Sequence, residues 1–256
     1  MNKHICGPIE FETELKRACN MFVQVVRFKE PVGIISSSFY NGGIRETTAL
    51  VIAGVPKDYD CADPVKDAES ILSELGLPED TVFFMTAAEV EYVFNVVDED
   101  FNGTEASAIV TAGLSNQVVA GDTLNNWQER HALSNERSEK LRKTGKFHVG
   151  TINTIAVSSL SLSVPGMVNA MIAVTEAKTA AMNVMGYNET GTTSDAIAIV
   201  VPEIGNIDYA GTGMDIGIAT ARAIKTAVCR ALIIRDDFPV GTSEDVKDRI
   251  KAQFMP

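Results

Sequence analysis

The chain has 256 residues, of which 45% are hydrophobic and 22% are charged, and its formal net charge is −12. This composition is typical of a globular protein, and the negative charge argues against DNA or RNA as a partner. No apolar run approaches the roughly 18–20 residues of a membrane span, and the first residues lack the apolar core of a signal peptide. We therefore expect a cytoplasmic protein that binds neither nucleic acid nor a membrane.

The cysteine and histidine positions give no sign of a metal site. None of the four cysteines forms a CxxC pair, and no two of the three histidines have metal-ligand spacing on a helix. We expect the cysteines to be reduced, mostly structural thiols. The residues concerned are Cys6, Cys19, Cys61 and Cys229, together with His4, His131 and His148.

In chain order, the first half begins with strand patterns and then alternates them with a helix. Residues 64–76 predict a helix, because they have an acidic first turn, Pro64 near the start and Gly76 as a stop. Residues 81–90 fit either a strand or a helix. Apolar segments that predict strands are 21–28, 32–39, 42–55 and 106–115, with Pro31 separating the first two.

A charged segment at 125–146 opens the second half and contains the only tryptophan, Trp127. It lacks a clear apolar face, so we expect an exposed helix or a flexible insert. It could form a flap over a ligand or be a solvated excursion without a function. The elements predicted after it are a strand at 147–159, a helix at 165–186, a strand at 194–202 and a helix at 214–233.

Strands alternating with helices indicate a layered α/β fold. We expect one α/β domain over residues 1–256, with a mixed β-sheet and packed helices; the alternative is an α+β sandwich. No repeat or low-complexity linker divides the chain.

Two charges in the apolar helix at 165–186 need an explanation, because a buried charge requires a partner. Glu176 and Lys178 are two residues apart and therefore point to opposite sides. Asn169, Glu176 and Asn183 recur every seven residues and line one stripe. We expect Glu176 to face a polar cleft and to orient or activate water, although it could simply pair with a neighbour. We expect Lys178 to pair with a carboxylate on another element and to anchor the helix.

Four turns rich in small polar residues follow strands or precede helices: "TAGLSN" (111–116), "GTINT" (150–154), "TGTTSD" (190–195) and "YAGTG" (209–213). Ends of strands in α/β sheets gather ligands, so we expect the four turns to converge on one cleft. The alternative is ordinary turns and helix caps. The candidate substrate-binding residues are Thr111, Ser115, Asn116, Thr151, Asn153, Thr190, Thr192, Gly211 and Thr212.

Three residues are candidates for acid–base work: Glu176, Asp195 and His148. Asp195 could act as a base or orient a ligand, and His148 is the natural general base, although a lone histidine is often structural. Backbone and asparagine donors could hold an oxyanion. The sequence contains neither a Gly-x-Ser-x-Gly elbow nor an evident Cys–His nucleophile pair.

Several motifs also resemble, in their order, the adenosylcobinamide amidohydrolase family. They are "TAGLSN…AGD", "GTINTI", "MVNAMIAVTEAKTAAMNVMG", "TGTTSDAIAI" and "YAGTGMDIGIATARAIKTAV", preceded by the strand and Gly-Gly turn "VGIISSSFYNGGIRE". The resemblance covers about residues 20–235, and the combined order is more specific than any single motif.

The resemblance implies hydrolysis of the amide between the corrin propionyl arm and aminopropanol, which yields adenosylcobyric acid and 1-amino-2-propanol. This reaction serves corrinoid salvage, typically in archaea. The resemblance implies no required cofactor, with cobalt present only in the corrinoid substrate, and a homo-oligomer is possible. Two alternatives stay open: a corrinoid-binding protein without catalysis, and a self-processing N-terminal-nucleophile hydrolase in which cleavage after Gly150 frees Thr151.

Overall fold

The computed structural model describes residues 1–56, 59, 62–114, 116–122 and 150–255. We number the elements of these residues in chain order. The strands are β1 Asn2–Cys6, β2 Ile9–Ala18, β3 Met21–Ser36, β4 Gly43–Gly54, β5 Val82–Thr86, β6 Asn95–Phe101, β7 Thr104–Ala112, β8 Gln117–Val118, β9 Ile152–Ser158, β10 Gly191–Thr192 and β11 Ala196–Val201. The helices are α1 Pro64–Leu75, α2 Val90–Val93, α3 Val164–Val184, α4 Asp215–Ile234 and α5 Glu244–Phe254.

Nine of these strands form one mixed sheet, which confirms the predicted α/β fold. Its main order is β1-β2-β3-β11-β9-β7-β6, and β4 pairs with both β3 and β5. The pairs β9–β11 and β4–β5 are parallel, and the other pairs are antiparallel. The short strands β8 and β10 pair with each other in a separate ladder.

The sheet curves until it nearly closes, so that one of its faces encloses a core. Phe84 on β5, Ile155 on β9 and Val200 on β11 belong to one buried cluster on this inner face. On the outer face, α3 and α4 cover β7, β9 and β11, while α1 covers β3, β4 and β5. The curvature therefore gives the sheet an inside and an outside, and the open ends of the inside can hold a ligand.

The two strands predicted at 21–28 and 32–39 are one strand, β3. Its pairing with β4 shifts register between Arg27 and Val32, and Pro31 lies within this irregular segment. Proline has no N–H to donate to a ladder and is tolerated at such a bulge. Pro31 therefore interrupts the pairing without ending the strand.

Helix ends follow the local sequence signals. The Asp63 side chain accepts a hydrogen bond from the Lys66 N–H at the start of α1, and Gly76 ends that helix in the left-handed conformation with φ 60°. Ser163 caps α3 by accepting from the Gly166 N–H. Among the described residues, no helix combines the length and the apolarity needed to span a membrane.

Several elements were not predicted from the sequence, among them β1, β2, β6 and α5. In β2 the buried residues Ile9, Phe11 and Thr13 alternate with glutamates, which is the pattern of a strand with one solvated face. The high charge of this segment obscured its period of two.

Candidate active site

The inner face of the sheet changes from apolar to polar at one end. On β7 and β9, Thr111 pairs with Asn153 one step beyond the pair formed by Ile109 and Ile155. The same change occurs from Ile34 to Ser36 on β3 and from Phe84 to Thr86 on β5, and all of these residues are buried. Side chains two residues apart share a face, so the polar groups continue the rows of the core.

A pocket of about 480 Å³ opens at this polar end. It lies at the carboxyl ends of β3, β4 and β5 and at the amino ends of β9 and β11. Its lining combines aromatic and aliphatic side chains with hydroxyl and amide groups. The described lining residues are Ser37–Phe39, Val55, Pro56, Tyr59, Pro64, Phe84–Ala87, Asn116, Gly150, Thr151, Asn153 and Ser194–Ala196.

Two hydroxyl groups form a pair on the wall of the pocket. The Oγ1 atom of Thr151 lies 2.7 Å from the Oγ atom of Ser194. Thr151 immediately precedes β9, and Ser194 lies in the turn before β11, so the parallel pairing of these strands brings the hydroxyls together. Either hydroxyl can donate to the other and still accept from a third group, such as water or a substrate N–H.

Asp195 lines the pocket, but both oxygens of its carboxylate already accept hydrogen bonds from neighbouring groups of the protein. One carboxylate oxygen accepts from the Ile152 N–H at 3.1 Å and from the Thr192 hydroxyl at 2.5 Å. The other accepts from the Thr192 N–H at 3.1 Å and from the Lys178 ammonium at 2.5 Å. A carboxylate with all four lone-pair sites occupied has none left to take a proton from water. We therefore interpret Asp195 as a residue that orders the pocket wall rather than as a general base.

Asn153 is fully buried beneath the pocket, and only the NH₂ group of its side-chain amide has hydrogen-bond partners among the described residues. Its Nδ2 group donates to the Met85 carbonyl and to the Thr111 hydroxyl, both at 3.2 Å. Its Oδ1 atom is buried and has no hydrogen-bond partner among the described residues. The expected donor to an oxyanion is therefore wrong for Asn153, because both N–H bonds are already engaged.

The other predicted residues near the pocket are held in hydrogen bonds to neighbouring residues of the protein. Thr111 is fully buried under Asn153, and Thr192 holds Asp195. Asn116 lines the pocket and donates to the Thr193 hydroxyl at 2.7 Å. Thr190 does not line the pocket; its hydroxyl accepts from the Ala120 N–H at 2.9 Å.

Gly211 and Thr212 lie away from the pocket. The prediction that their turn, "YAGTG", converges on the same cleft as the other three turns is therefore wrong. The Ala210 N–H donates to Asn169 near the start of α3, whereas Lys178, which contacts the pocket wall, comes nine residues later. Nine helical residues span about 13.5 Å. The reason is the direction of β11, which starts at the pocket and carries the chain away from it.

Glu176 is exposed and does not line the pocket, so the expectation that it faces the cleft is wrong. Asn183, on the same stripe, is exposed too. Helix α3 buries a stripe that is rich in alanine and leaves Val168 and Ile172 exposed. Its apolar composition on every side hid which face turns toward solvent.

Ser115 and His148 lie outside the described residues, as does the charged segment 125–146 with Trp127. Their predicted roles, including that of the flap, stay predictions from the sequence.

Four further residues line the pocket that were not predicted from the sequence: Ser37, Ser38, Thr86 and Tyr59. The available signal was the hydroxyl run "SSS" at 36–38 and the change from Phe84 to Thr86 at the end of an apolar strand. Ser38 donates to the Phe83 carbonyl, which joins the turn after β3 to β5.

A buried ion cluster supports the loop after β7. Arg235 pairs with Glu89 and, at 3.0 Å, with Asp237. Asp237 in turn accepts from the Leu114 N–H at 3.2 Å. Within the described part of the chain, no group of three His, Cys, Asp or Glu residues could hold a metal ion.

The fold and the pocket define an α/β protein with a hydroxyl- and amide-lined binding site at one mouth of a curled sheet. The chain belongs to the adenosylcobinamide amidohydrolase family, whose model matches residues 9–237, and it is an amidohydrolase. It is 26% identical over 228 residues to an uncharacterized protein of Methanocaldococcus jannaschii, covering 84% of this chain and 88% of the relative. It is 25% identical over 211 residues to a Methanosarcina mazei protein named adenosylcobinamide amidohydrolase, covering 78% and 90%.

Proposed function

We propose that this protein hydrolyses the amide bond between the corrin propionyl arm and aminopropanol in adenosylcobinamide. The products are adenosylcobyric acid and 1-amino-2-propanol, and the reaction serves corrinoid salvage. The protein needs no cofactor of its own, since cobalt enters as part of the corrinoid substrate. The observation that carries the proposal is the Thr151–Ser194 hydroxyl pair in the pocket of a chain that belongs to this family.

The size and the lining of the pocket match the aminopropanol arm of such a substrate. Pockets of about 300–1,000 Å³ hold drug-sized ligands, and this one, at about 480 Å³, is of a size for the aminopropanol arm and an edge of the corrin. Phe39, Phe84 and Pro56 provide apolar walls. The hydroxyl and amide groups between these walls match a neutral arm that carries an amide and an alcohol.

The chemistry requires water to add to the amide carbon, the C–N bond to break and the amine to leave with a proton. The Thr151 and Ser194 hydroxyls can fix the attacking water by accepting and donating hydrogen bonds. Lys178 and Asp195 hold the turn that carries Ser194. His148 stays the general base that the sequence predicts.

The direct test is incubation of the pure protein with adenosylcobinamide, followed by mass spectrometry of both products. We expect both products in equal amounts. Thr151→Val combined with Ser194→Ala should lower kcat by about 10²-fold or more, because the water loses its positioning. Thr175→Val is the matched control, since Thr175 is exposed on α3 and its hydroxyl donates to the Met171 carbonyl.

Other outcomes would redirect the proposal. Tight corrinoid binding without either product would favour the binding-protein alternative. An intact mass showing two fragments that meet between Gly150 and Thr151 would favour the self-processing alternative, in which Thr151 is the nucleophile. A single uncut chain with full turnover would exclude it.

A further inference from the structure

The geometry points to Asn153 as the residue that selects an amide substrate, by accepting a hydrogen bond from the scissile N–H on its Oδ1 atom. This inference rests on the proposed function. It assigns Asn153 an acceptor role toward the leaving nitrogen, which is the opposite of an oxyanion donor.

The orientation of the Asn153 amide is determined by its neighbours. The Met85 backbone carbonyl lies 3.2 Å from Nδ2 and can only accept a hydrogen bond. A flipped side chain would place two carbonyl oxygens against each other, so the NH₂ group must face Met85 and Thr111. The Oδ1 atom is therefore the side of the amide left without a partner among the described residues.

An acceptor without a hydrogen-bond partner, which is how Oδ1 stands among the described residues, is costly in the free protein. Asn153 is 0% exposed, and a buried polar atom without a hydrogen bond loses its solvation without compensation. A ligand N–H that reaches Oδ1 removes this cost, whereas an ether or ester oxygen at the same place would add a repulsion between two acceptors. Sites built to hydrogen-bond a substrate N–H reject analogues that lack it for this reason.

The position of Asn153 relative to the hydroxyl pair points to the scissile amide. Thr151 and Asn153 are two residues apart at the start of β9, so their side chains leave the backbone about 6–7 Å apart on one face. With the attacking water held by the Thr151 hydroxyl, a water-to-carbon approach, a C–N bond and an N–H···O hydrogen bond placed end to end span about 7 Å. A secondary amide can therefore place its carbon beside Thr151 and its N–H against Asn153.

The test compares the amide substrate with the ester in which oxygen replaces the scissile N–H. We measure kcat/KM for both compounds in each protein and calculate the amide-to-ester ratio of these values. Dividing the ratio of the wild type by the ratio of a variant cancels the greater intrinsic reactivity of the ester. Asn153→Leu removes the acceptor and should lower the amide-over-ester preference by roughly 10–100-fold. Buried against the Met85 carbonyl, the side chain of Asn153→Asp must be protonated, so that its O–H donates to that carbonyl and its other oxygen stays an acceptor. This variant should therefore retain the preference to within about threefold.

Thr111→Val is the matched control, because it removes one partner of Nδ2 and leaves Oδ1 in place. It should keep the preference even if it lowers the melting temperature. Binding of adenosylcobyric acid, which has no scissile N–H, should change by less than about threefold in Asn153→Leu. If Asn153→Leu does not fold, the wild-type KM for the ester must still exceed that for the amide by at least about tenfold.

The results separate this inference from the proposed function. A wild-type protein that does not hydrolyse the amide overturns the proposed function. A wild-type protein that hydrolyses it, with a preference that survives Asn153→Leu, overturns only the role of Asn153. Equal loss of preference in the Leu and Asp variants would mean that the NH₂ bonds matter and not the acceptor, and it too would overturn the inference.

Discussion

Lys178 on α3 and Asp195 before β11 form an ion pair with 2.5 Å between Nζ and Oδ2. Their side chains are only 13% and 16% exposed, so the pair is largely screened from water. It ties the helix to the turn that carries Ser194 into the pocket. The prediction that Lys178 pairs with a carboxylate on another element is confirmed.

Lys178→Met should destabilise the fold. The substitution leaves Asp195 in a mostly buried position without its cation, which costs about 3 kcal/mol, near the lower end for buried pairs. We expect the melting temperature to fall by about 6–12 °C. Lys29→Met is the control, since its partner Glu10 and Lys29 itself are more than half exposed, and exposed pairs contribute little. Equal melting temperatures for the two variants would contradict this view of Lys178.

Gly191→Ala should disturb the same pair from the backbone side. A Cβ atom at position 191 would lie 2.2 Å from Asp195 Oδ2 and 2.5 Å from Lys178 Nζ. The carboxylate is held by four donors and cannot move away easily, so we expect a lower melting temperature and a lower kcat. Gly213→Ala is the control, because a Cβ there would meet no heavy atom within 4 Å. A Gly191→Ala protein with parental stability and kcat would show that the pair tolerates displacement.

Glu176→Gln should leave turnover within about twofold of the parent. Glu176 is exposed on α3 and lies outside the pocket lining, so its charge has no route to the reacting amide among the described residues. Steady-state kinetics with adenosylcobinamide provide the measurement. A loss of about 10²–10⁴-fold, the usual contribution of general acid–base catalysis, would restore the role that the sequence suggested for this carboxylate.

His148→Gln tests the general base predicted from the sequence. Removal of a general base lowers kcat by about 10²–10⁴-fold, and we expect this loss without a fall in melting temperature. In the wild type, kcat should fall at low pH, because a general base must be deprotonated to act. This fall should disappear from the pH dependence of the residual kcat in His148→Gln. Substitution of His4, which stacks on Phe11 and lies on the edge strand β1, serves as the comparison. An unchanged pH profile in His148→Gln would rule the assignment out.

Cys6 and Cys229 should resist alkylation in the native protein. Burial raises the pKa of the Cys6 thiol to about 11 and that of Cys229 to about 12. Since a raised thiol pKa means less thiolate at pH 8, both should react with iodoacetamide far more slowly than exposed Cys19, although burial and the neighbouring Glu74 raise the Cys19 pKa too. Peptide mass spectrometry resolves the three sites. Native alkylation of Cys229 at the rate of Cys19 would mean that α4 opens readily.

Local sequence signals were enough for those parts of the protein that depend on neighbouring residues. Asp63 and Gly76 bound α1, a proline at the start and a glycine at the end located α3, and apolar runs located most central strands, because such signals act over a few residues. The order of the motifs also pointed to the family, which the comparisons confirm. The high charge of β2 obscured its period of two, and the bulge at Pro31 was harder to predict because it depends on the pairing with β4.

Which polar residues come together depends on contacts between segments that are distant in the sequence. "GTINT" and "YAGTG" look alike as turns, yet Asn153 lies at the pocket and Gly211 lies at the far end of the neighbouring helix. The direction in which each strand crosses the sheet makes this difference, and strand direction is set by pairings between residues distant in sequence. The same holds for Asp195 and Asn153: composition indicated a base and a donor, whereas long-range contacts with Lys178 and Met85 leave an occupied carboxylate and an acceptor that has no partner among the described residues.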